Sequence, residues 1–282
     1  MLNSIVGQID VQPTVYWRDD GSSDATARIV RRYHRVIDIR EVPSHGRLGP
    51  CASFLALLRE SAPRHTSVHF ADQDDIWEPR KVAHAHQVVL QNETPTLFHC
   101  RQQLIDSTDR PLRLSRIPAA GSFNNSMCEN IAVGCTVALN HTAARLVAKG
   151  SPNHALMHDW WAYLVVSAVG RIAYDHHPWI QYRQHSQNVV GGNLGFVLRS
   201  RRRLKRVATR SGEGGPFSGQ LLDLLNIHGD LLTYEQRSRI ERLLAGTTSI
   251  SQRLKNCIMP PATRQGFIDQ LLLRGLLLAN RF

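Results

Sequence analysis

Two clusters of aspartates each follow a short β-rich segment and precede a segment with helical spacing. Asp19 and Asp20 form the first cluster, and Asp72, Asp74 and Asp75 form the second. In open α/β sheets, ligands bind beyond the carboxyl ends of the strands. Closely spaced carboxylates repel one another, and a hard divalent cation with phosphate oxygens is their natural partner. N-capping of the following helices is the alternative, but one cap needs only one aspartate.

The flanking segments predict strands that alternate with helices. β-rich runs predict strands at Thr14–Trp17, Val36–Val42, Ser67–Ala71, Thr96–Cys100, Val133–Leu139 and Arg171–Tyr174, and a hairpin over Leu104–Leu114. Helical spacing predicts helices at Ser23–Arg35, Gly49–Ser61, Arg80–Leu90, His158–Val169 and Leu221–Leu244. This alternation indicates an α/β fold with a mostly parallel sheet flanked by helices. It places both aspartate clusters at strand ends.

The composition excludes several classes of protein. The chain has 282 residues, of which 42% are hydrophobic and 20% are charged, so it can bury a core and is not disordered. No run of about 18 apolar residues is present, so we expect no membrane-spanning segment, and the first residues lack the pattern of a signal peptide. The five cysteines lack CxxC spacing. This argues against a zinc cage or a disulfide framework and favours a reducing, cytoplasmic location.

Positive charge is concentrated toward the C-terminal end. Residues 1–192 carry 19 Lys and Arg against 17 Asp and Glu, whereas residues 193–282 carry 15 against 6. Six positive charges fall within residues 199–206, ahead of leucine-rich helical segments. The combination predicts peripheral contact with an anionic membrane surface, and a solvated basic cap on the core is the alternative. We expect no nucleic-acid partner, because no RNA-binding aromatic motif accompanies the basic residues.

Five motifs, in order along the chain, resemble those of the family-2 glycosyltransferases of the GT-A fold. They are RDDGSSDAT, FADQDDIWEPRK, VGCTVALN, MHDWW and YRQHSQNVVG. The resemblance is strongest to bacterial rhamnosyltransferase-like members, and it covers roughly residues 2–192. It implies a GT-A glycosyltransferase domain over residues 1–192, followed by a basic helical C-terminal region over residues 193–282.

The resemblance assigns Asp159, in MHDWW, as the general base. A sugar hydroxyl is a poor nucleophile until a carboxylate takes its proton in the transition state. The alternative is an ordinary first-turn aspartate, which the dipole of the following helix favours. The neighbouring Trp160 is a weaker candidate: it either presents an apolar face to a sugar ring or packs in the core.

The resemblance also assigns residues that bind the donor. Asp19, Asp20, Asp72 and Arg183 are expected to contact the nucleotide or its diphosphate, although a surface ion pair is the alternative for Arg183. Asp72 and Asp74 match the DxD motif.

The expected metal ligands are Asp74 and His185. A structural role is the alternative for His185, and Asp75 is expected to support the ligands or to begin a helix. Mg²⁺ or Mn²⁺ suits oxygen ligands beside phosphates.

The chain departs from the family at its N-terminal end. Family members begin with a hydrophobic strand and a turn, whereas here Ser4 to Gln8 matches only the end of the helix that follows. That strand normally lies within the sheet, and its loss leaves unpaired backbone groups on the neighbouring strands. We therefore expect a late start or an incomplete chain. A non-catalytic remnant with impaired donor binding is the alternative to an active enzyme.

The sequence thus predicts a metal-dependent transferase. The expected reaction moves a sugar, rhamnose by resemblance and with inversion, from a dTDP-rhamnose-like nucleotide-sugar donor to a saccharide or lipid-linked saccharide. The expected setting is cell-surface polysaccharide synthesis at the inner face of the cell membrane.

Overall fold

The computed structural model describes residues 1–44, 46–91, 93–184 and 215–282. The strands within these ranges are β1 (Val15–Trp17), β2 (Ile39–Glu41), β3 (Ser67–His69), β4 (Ile76–Trp77), β5 (Thr96–Ile105), β6 (Pro111–Leu114), β7 (Ala138–Asn140) and β8 (Arg171–Arg183). The helices that precede residue 185 are α1 (Leu2–Val6), α2 (Thr26–Tyr33), α3 (Gly49–Ser61), α4 (Lys81–Val89), α5 (Phe123–Ser126), α6 (His141–Ala148) and α7 (His158–Val169). The C-terminal helices are α8 (Pro216–His228), α9 (Tyr234–Thr248), α10 (Ile250–Ile258) and α11 (Phe267–Leu278).

Local sequence explains where several helices begin. The Asn140 side chain accepts a hydrogen bond from the Ala143 N–H and caps α6. Thr233 and Gln236 form a reciprocal capping box at the start of α9. Both arrangements satisfy backbone N–H groups that the first helical turn leaves without partners. At α8, Pro216 occupies the first turn, where its missing N–H costs nothing.

Several predicted elements differ from the structure; β8, for example, continues to Arg183, beyond the strand predicted over Arg171–Tyr174. The strand predicted over Val133–Leu139 is a 3₁₀ turn at Gly134–Thr136 followed by the short β7. The helix predicted over Leu221–Leu244 is two helices, because a 3₁₀ turn at Gly229–Leu231 and the Thr233 cap interrupt it. Gly229 is the C-cap of the first of these two helices. The predicted α3 and α7 agree with the structure at both ends.

The α/β class and the C-terminal helical region are confirmed, but the prediction of a mostly parallel sheet is wrong in strand direction. The larger sheet has the order β3-β7-β5-β8-β4, with β6 beside β5. Within it only β5 and β8 pair in parallel, and the other described pairs are antiparallel. Of these described antiparallel pairs, only β5 and β6 are joined directly as a hairpin; the other antiparallel partners are far apart along the chain, with helices between them.

Strands β1 and β2 form a separate parallel pair. Among the described residues, β1 pairs only with β2, and β3 pairs only with β7, so both are edge strands. Tyr16 in β1 and His65, just before β3, form a side-chain hydrogen bond between Nε2 and the hydroxyl, 3.1 Å long, which is one contact between the regions of these two edge strands. No helix within the described ranges is long and apolar enough to cross a membrane.

Helix α7 lies at the centre of the main core. It is apolar on nearly every side, and Trp161, Leu164 and Val166 are fully buried, as expected of a helix without a polar face. The same buried cluster includes residues from the C-terminal helices, among them Phe217, Leu221, Leu224, Leu273 and Leu277. The C-terminal helices therefore complete the core around α7.

We predict that Leu221→Ala destabilises the whole folded unit. Leu221 is fully buried, whereas the adjacent Leu222 is 45% exposed and is the matched control. Loss of the buried side chain should lower the free energy of unfolding by about 2–5 kcal/mol, and Leu222→Ala should change it by less than about 1 kcal/mol. All five tryptophans precede residue 185, so tryptophan fluorescence during urea unfolding reports on the part of the chain that precedes the C-terminal helices. An unchanged tryptophan transition in Leu221→Ala would contradict the shared core.

Candidate active site

The segment between β3 and β4 brings acidic side chains against the 3₁₀ turn at Gly134–Thr136. Ligand atoms of Asp72, Asp75 and Cys135 lie within 4.8 Å of one another. Asp75 and Cys135 are fully buried. The Asp75 Oδ1 atom accepts the Arg183 backbone N–H at 3.1 Å. Oδ2 is buried without a hydrogen bond of ordinary geometry in the described part of the chain, although the Cys135 thiol is close enough to the carboxylate to lower its pKa. We call Asp72, Asp75 and Cys135 the acidic cluster.

Burial and neighbouring carboxylate charges raise the pKa values of both carboxylates of the acidic cluster. Burial raises the pKa of Asp72 to about 7, and the charges of Asp75, Asp74 and Asp159 raise it further in the same direction. Burial also raises the pKa of Asp75 to about 6, with the Asp74 charge adding to the effect. A bound cation would relieve both causes, because it offsets the lost hydration and the repulsion.

The acidic cluster fits a hard divalent cation in part. Two carboxylates, one with a buried oxygen that makes no hydrogen bond of ordinary geometry in the described part of the chain, are suitable ligands for Mg²⁺ or Mn²⁺. The Cys135 thiol fits less well, because burial raises its pKa well above the usual value, and a protonated thiol is a poor ligand for a hard ion. The Gln102 amide donates to Cys135 Sγ at 3.6 Å, so the sulfur atom has a hydrogen-bond partner within the protein and needs no metal.

Arg183, at the end of β8, ties the acidic segment to the sheet. Its Nε donates to the Asp74 main-chain carbonyl at 3.0 Å, and its guanidinium forms an ion pair with Asp109. The predicted alternative for Arg183, an ion pair, therefore describes one of its contacts. Asp74 is not part of the acidic cluster, but its charge acts on both carboxylates there. The roles of Asp74 as a metal ligand and of Arg183 as a diphosphate contact stay predictions, and His185 lies outside the described residues.

Asp159 occupies the first turn of α7 and is 8% exposed. Its Oδ2 accepts the Gly134 backbone N–H at 2.9 Å, and its Oδ1 accepts the Trp160 N–H at 2.7 Å. The Asn130 side chain also hydrogen-bonds the carboxylate. Burial raises the pKa of Asp159 to about 6, against the effect of these hydrogen bonds. The result is a fixed carboxylate that is ionised at neutral pH and still basic.

Gly134 is required by the close packing around Asp159. A Cβ atom at this position would lie 2.9 Å from His158 Nε2 and 3.5 Å from the Asp159 Cβ. The His158 ring stacks on Phe54, with ring centroids 3.8 Å apart, and burial lowers the pKa of His158 to about 3. A neutral, stacked histidine thus holds the start of α7 against the Gly134 turn.

Asp19 and Asp20 hold the loops that follow β1. Asp20 Oδ1 and Oδ2 accept the backbone N–H groups of Leu48 and Gly49, at 2.7 and 2.8 Å, at the start of α3. These bonds and the Arg18 side chain hold the pKa of Asp20 well below its usual range. Asp19 accepts the Ser22 N–H at 2.7 Å, which is the main reason that its pKa is also lowered. Neither residue caps α2, the helix that follows them, which has no side-chain cap, and donor binding by both residues stays a prediction.

The Trp160 contacts shown by the structure are with protein. Its indole N–H donates to the Ser126 carbonyl at 2.7 Å, and its ring lies 5.6 Å from that of Phe217 in α8. Packing therefore accounts for Trp160, while its contact with a sugar stays a prediction.

Three residues beside the site were not singled out as site residues from the sequence. Asn130 carries no signal of its own, and Cys135 lies in the VGCTVALN motif without an assigned role, because only the fold brings them to Asp159 and to the acidic cluster. Lys81 closes the FADQDDIWEPRK motif, is 1% exposed and has its Nζ 3.6 Å from the centre of the Trp77 ring. Burial lowers the pKa of this ammonium, and nearby acidic groups including Asp75 act in the opposite direction. Lys81 thus supplies a positive charge behind the acidic cluster.

Comparison with known proteins confirms the fold. No protein-family model matches the chain. Over 216 residues the chain is 26% identical to dTDP-rhamnosyl transferase RfbG of Shigella flexneri, covering 71% of this chain and 73% of RfbG. A fragment of S. aureus TarS solved with UDP-GlcNAc superposes with a TM-score of 0.57 at 12% identity, covering 99% of this chain and 76% of the fragment. The mannosyltransferase PcManGT of Pyrobaculum calidifontis, solved with GDP-Man and Mn²⁺, gives 0.51 at 16% identity, covering 99% and 80%. The chain has the predicted GT-A fold, and its resemblance to glycosyltransferases is confirmed.

We predict that the contribution of Asp72 and Asp75 to the stability of the folded protein falls as pH rises when no divalent ion is bound. Folding raises the pKa values of Asp72 and Asp75 to about 7 and about 6, so the folded state holds these protons more tightly than the unfolded chain. The unfolded chain releases them near pH 4 and the folded state near pH 6 and pH 7, so this contribution falls between about pH 4 and about pH 7, by up to about 1.4 kcal/mol per unit of raised pKa.

The measurement is the melting temperature in chelator at several pH values. Relative to the unsubstituted protein, Asp72→Asn should gain melting temperature as pH rises, whereas the exposed Asp230→Asn should keep a constant difference. Mn²⁺ should raise the melting temperature more at the higher pH, where both carboxylates are ionised. If the melting temperatures of Asp72→Asn and the unsubstituted protein change with pH at the same rate, the raised pKa assigned to Asp72 is wrong.

Proposed function

We propose that the chain is a glycosyltransferase that moves a sugar from a nucleoside diphosphate donor to a hydroxyl of a saccharide or lipid-linked saccharide. The observation that carries this proposal is the position of Asp159. Its carboxylate lies close enough to the acidic cluster for its charge to raise the pKa of Asp72. A candidate base and a candidate diphosphate site therefore adjoin, as transfer between two substrates requires.

Asp159 is proposed to accept the proton of the acceptor hydroxyl. The Gly134 N–H and the Trp160 N–H hold its two oxygens in one orientation, so little motion is needed before proton transfer. A pKa of about 6 keeps the carboxylate ionised at neutral pH and makes it a stronger base than an exposed aspartate. Attack from the face opposite the leaving diphosphate would invert the anomeric carbon.

The acidic cluster is proposed to hold the donor diphosphate through a divalent ion. Asp74 and His185 are the ligands expected from the sequence, and the positions of Asp72 and of the buried Asp75 Oδ2 support these two carboxylates as further candidates. Mg²⁺ or Mn²⁺ bound there would stabilise the charge of the leaving diphosphate. Arg183 keeps the segment in place through the Asp74 carbonyl and the Asp75 carboxylate, and it is proposed to face the diphosphate. Asp19 and Asp20 are proposed to contact the nucleoside.

Rhamnose, carried by dTDP, is the proposed sugar. The support is the 26% identity to an enzyme described as a dTDP-rhamnosyl transferase. The structural neighbours are described with UDP-GlcNAc and with GDP-Man, so these donors are the competitors in a direct test. Release of nucleoside diphosphate from dTDP-rhamnose, in preference to the other two, is the expected result. Cell-surface polysaccharide synthesis at the inner face of the membrane is the proposed setting.

A non-catalytic remnant is the second candidate. It is favoured by the two edge strands β1 and β3, which do not pair with each other in the described part of the chain. A sheet divided at this point would hold the nucleoside less firmly. This candidate predicts that dTDP, UDP and GDP all fail to stabilise the protein against heat in the presence of Mn²⁺, whereas the enzyme is stabilised by at least one of them.

We predict that Asp159→Asn lowers the transfer rate by about 10²–10⁴. Asparagine keeps the size of the side chain and can still accept the Gly134 N–H, but it cannot take a proton at neutral pH. Donor affinity should change by less than about threefold, because the carboxylate faces the acceptor. Single-turnover rates and calorimetric titration with the donor separate the two effects. Near-normal turnover in Asp159→Asn would rule out the base assignment.

We also predict that transfer requires a divalent ion. Excess chelator should abolish activity, and Mg²⁺ or Mn²⁺ should restore it. Asp72→Ala should raise the Mn²⁺ concentration needed for half-maximal activity by about tenfold or more, because it removes a charged ligand. Asp74→Ala and Asp75→Ala, compared directly, distinguish the ligand expected from the sequence from the carboxylate with the buried Oδ2. Full activity in chelator would contradict the metal requirement.

A further inference from the structure

Helix α11 presents an apolar face to solvent. Its inner face, with Leu273 and Leu277, is buried in the main core. The outer face carries four large apolar side chains that are half-exposed or more: Phe267 (79%), Ile268 (54%), Leu271 (50%) and Leu278 (51%). A helix that is apolar on both sides is normally buried on both sides. The outer face of α11 is therefore suited to an apolar surrounding beyond this chain.

The neighbouring helix α10, which packs against α11, has an exposed apolar stripe of its own. Ile250, Leu254 and Ile258 recur at four-residue intervals, which places them on one side of the helix, and Met259 follows. Their exposed fractions are 70%, 49%, 70% and 72%. Together these eight side chains of α10 and α11 form what we call the C-terminal apolar surface. So many exposed apolar side chains on two adjoining helices are uncommon for a surface that meets only water.

The charge around this surface is positive. Residues 250–282 carry five basic side chains, Arg253, Lys255, Arg264, Arg274 and Arg281, and one acidic side chain, Asp269. Asp269 lies 4.0 Å from Arg264, in an ion pair. Residues 193–282 as a whole carry 15 Lys and Arg against 6 Asp and Glu. A second copy of the chain would bring positive charge against positive charge. An anionic lipid surface complements both the charge and the apolar side chains.

The C-terminal apolar surface is connected to the candidate active site by hydrogen bonds. Just before α11, the Gln265 N–H donates to the Glu129 carboxylate at 2.8 Å, and the Arg264 guanidinium donates to the Cys128 carbonyl at 3.0 Å. The next residue along from Glu129 is Asn130, whose side chain hydrogen-bonds Asp159. The start of α11 is therefore joined to the segment that contacts the candidate base.

We propose that the C-terminal apolar surface docks on an anionic lipid bilayer, with Phe267 and Leu271 entering the interface and Lys255 and Arg274 meeting the head groups. The bilayer would present a lipid-linked acceptor on the side of Asp159. This role of docking, the delivery of an acceptor, rests on the proposed function. Docking itself needs no transfer activity. If the protein binds vesicles but transfers no sugar, the docking proposal stands and the proposed function is wrong. If it transfers sugar without binding vesicles, the proposed function stands and the docking proposal is wrong.

Vesicle flotation with the full chain tests the proposal. The probes are vesicles of phosphatidylcholine alone and vesicles that also contain phosphatidylglycerol. We expect binding to the anionic vesicles, little binding to the neutral ones, and loss of binding in high salt. Phe267→Ser combined with Leu271→Ser should lower the bound fraction by about tenfold or more. The matched control is Leu112→Ser, because Leu112 in β6 is also exposed, at 55%, and should leave binding unchanged.

A second variant and a second measurement complete the test. Lys255→Gln with Arg274→Gln leaves the apolar side chains intact and should weaken binding to anionic vesicles alone. The molar mass in solution, measured by light scattering, distinguishes a second copy as the occupant. The proposal is overturned by absence of binding to either vesicle, by binding that the Phe267 and Leu271 substitutions do not change, or by a dimer that those substitutions dissociate.

Discussion

Repulsion among buried carboxylates is the constraint around which the site is built. Asp75, Asp74 and Asp159 are close enough to Asp72 for their charges to raise its pKa, and burial raises the pKa values of Asp72, Asp75 and Asp159. Such an arrangement destabilises the fold at neutral pH unless a cation offsets it. A site that keeps these side chains together is therefore suited to a ligand that brings positive charge with it, as a metal–nucleotide complex does.

The surrounding protein stabilises each carboxylate differently. Asp159 receives backbone N–H groups from Gly134 and Trp160, so its ionised form is supported by the protein alone. Asp75 receives one N–H from Arg183 and has the buried charge of Lys81 nearby, while its second oxygen has no hydrogen bond of ordinary geometry in the described chain. This difference separates the proposed roles. The protein itself stabilises the ionised form of the base, whereas the ionised form of the acidic cluster needs a bound cation.

The sequence predicts the residues that carry chemistry better than it predicts their surroundings. Aspartates at strand ends have a signal that does not depend on the rest of the chain, and α7 could be predicted to both of its ends. The strand directions could not, because short strands such as β4 and β7 take their direction from pairing with distant β8 and β5. For the same reason the sequence does not reveal that Asp75 rather than Asp74 lies beside Cys135, or that Trp160 meets Phe217 across the core.

The central claim is that the acidic cluster binds a nucleoside diphosphate through a divalent ion, next to Asp159. Anomalous diffraction from crystals grown with Mn²⁺ and dTDP tests it most directly. The account predicts a manganese peak within coordination distance, about 2.0–2.3 Å, of carboxylate oxygens in the Asp72–Asp75 segment, with the diphosphate on its other side and Asp159 facing the remaining space. Nucleotide bound elsewhere on the molecule, or manganese absent from this segment while nucleotide is present, would contradict it.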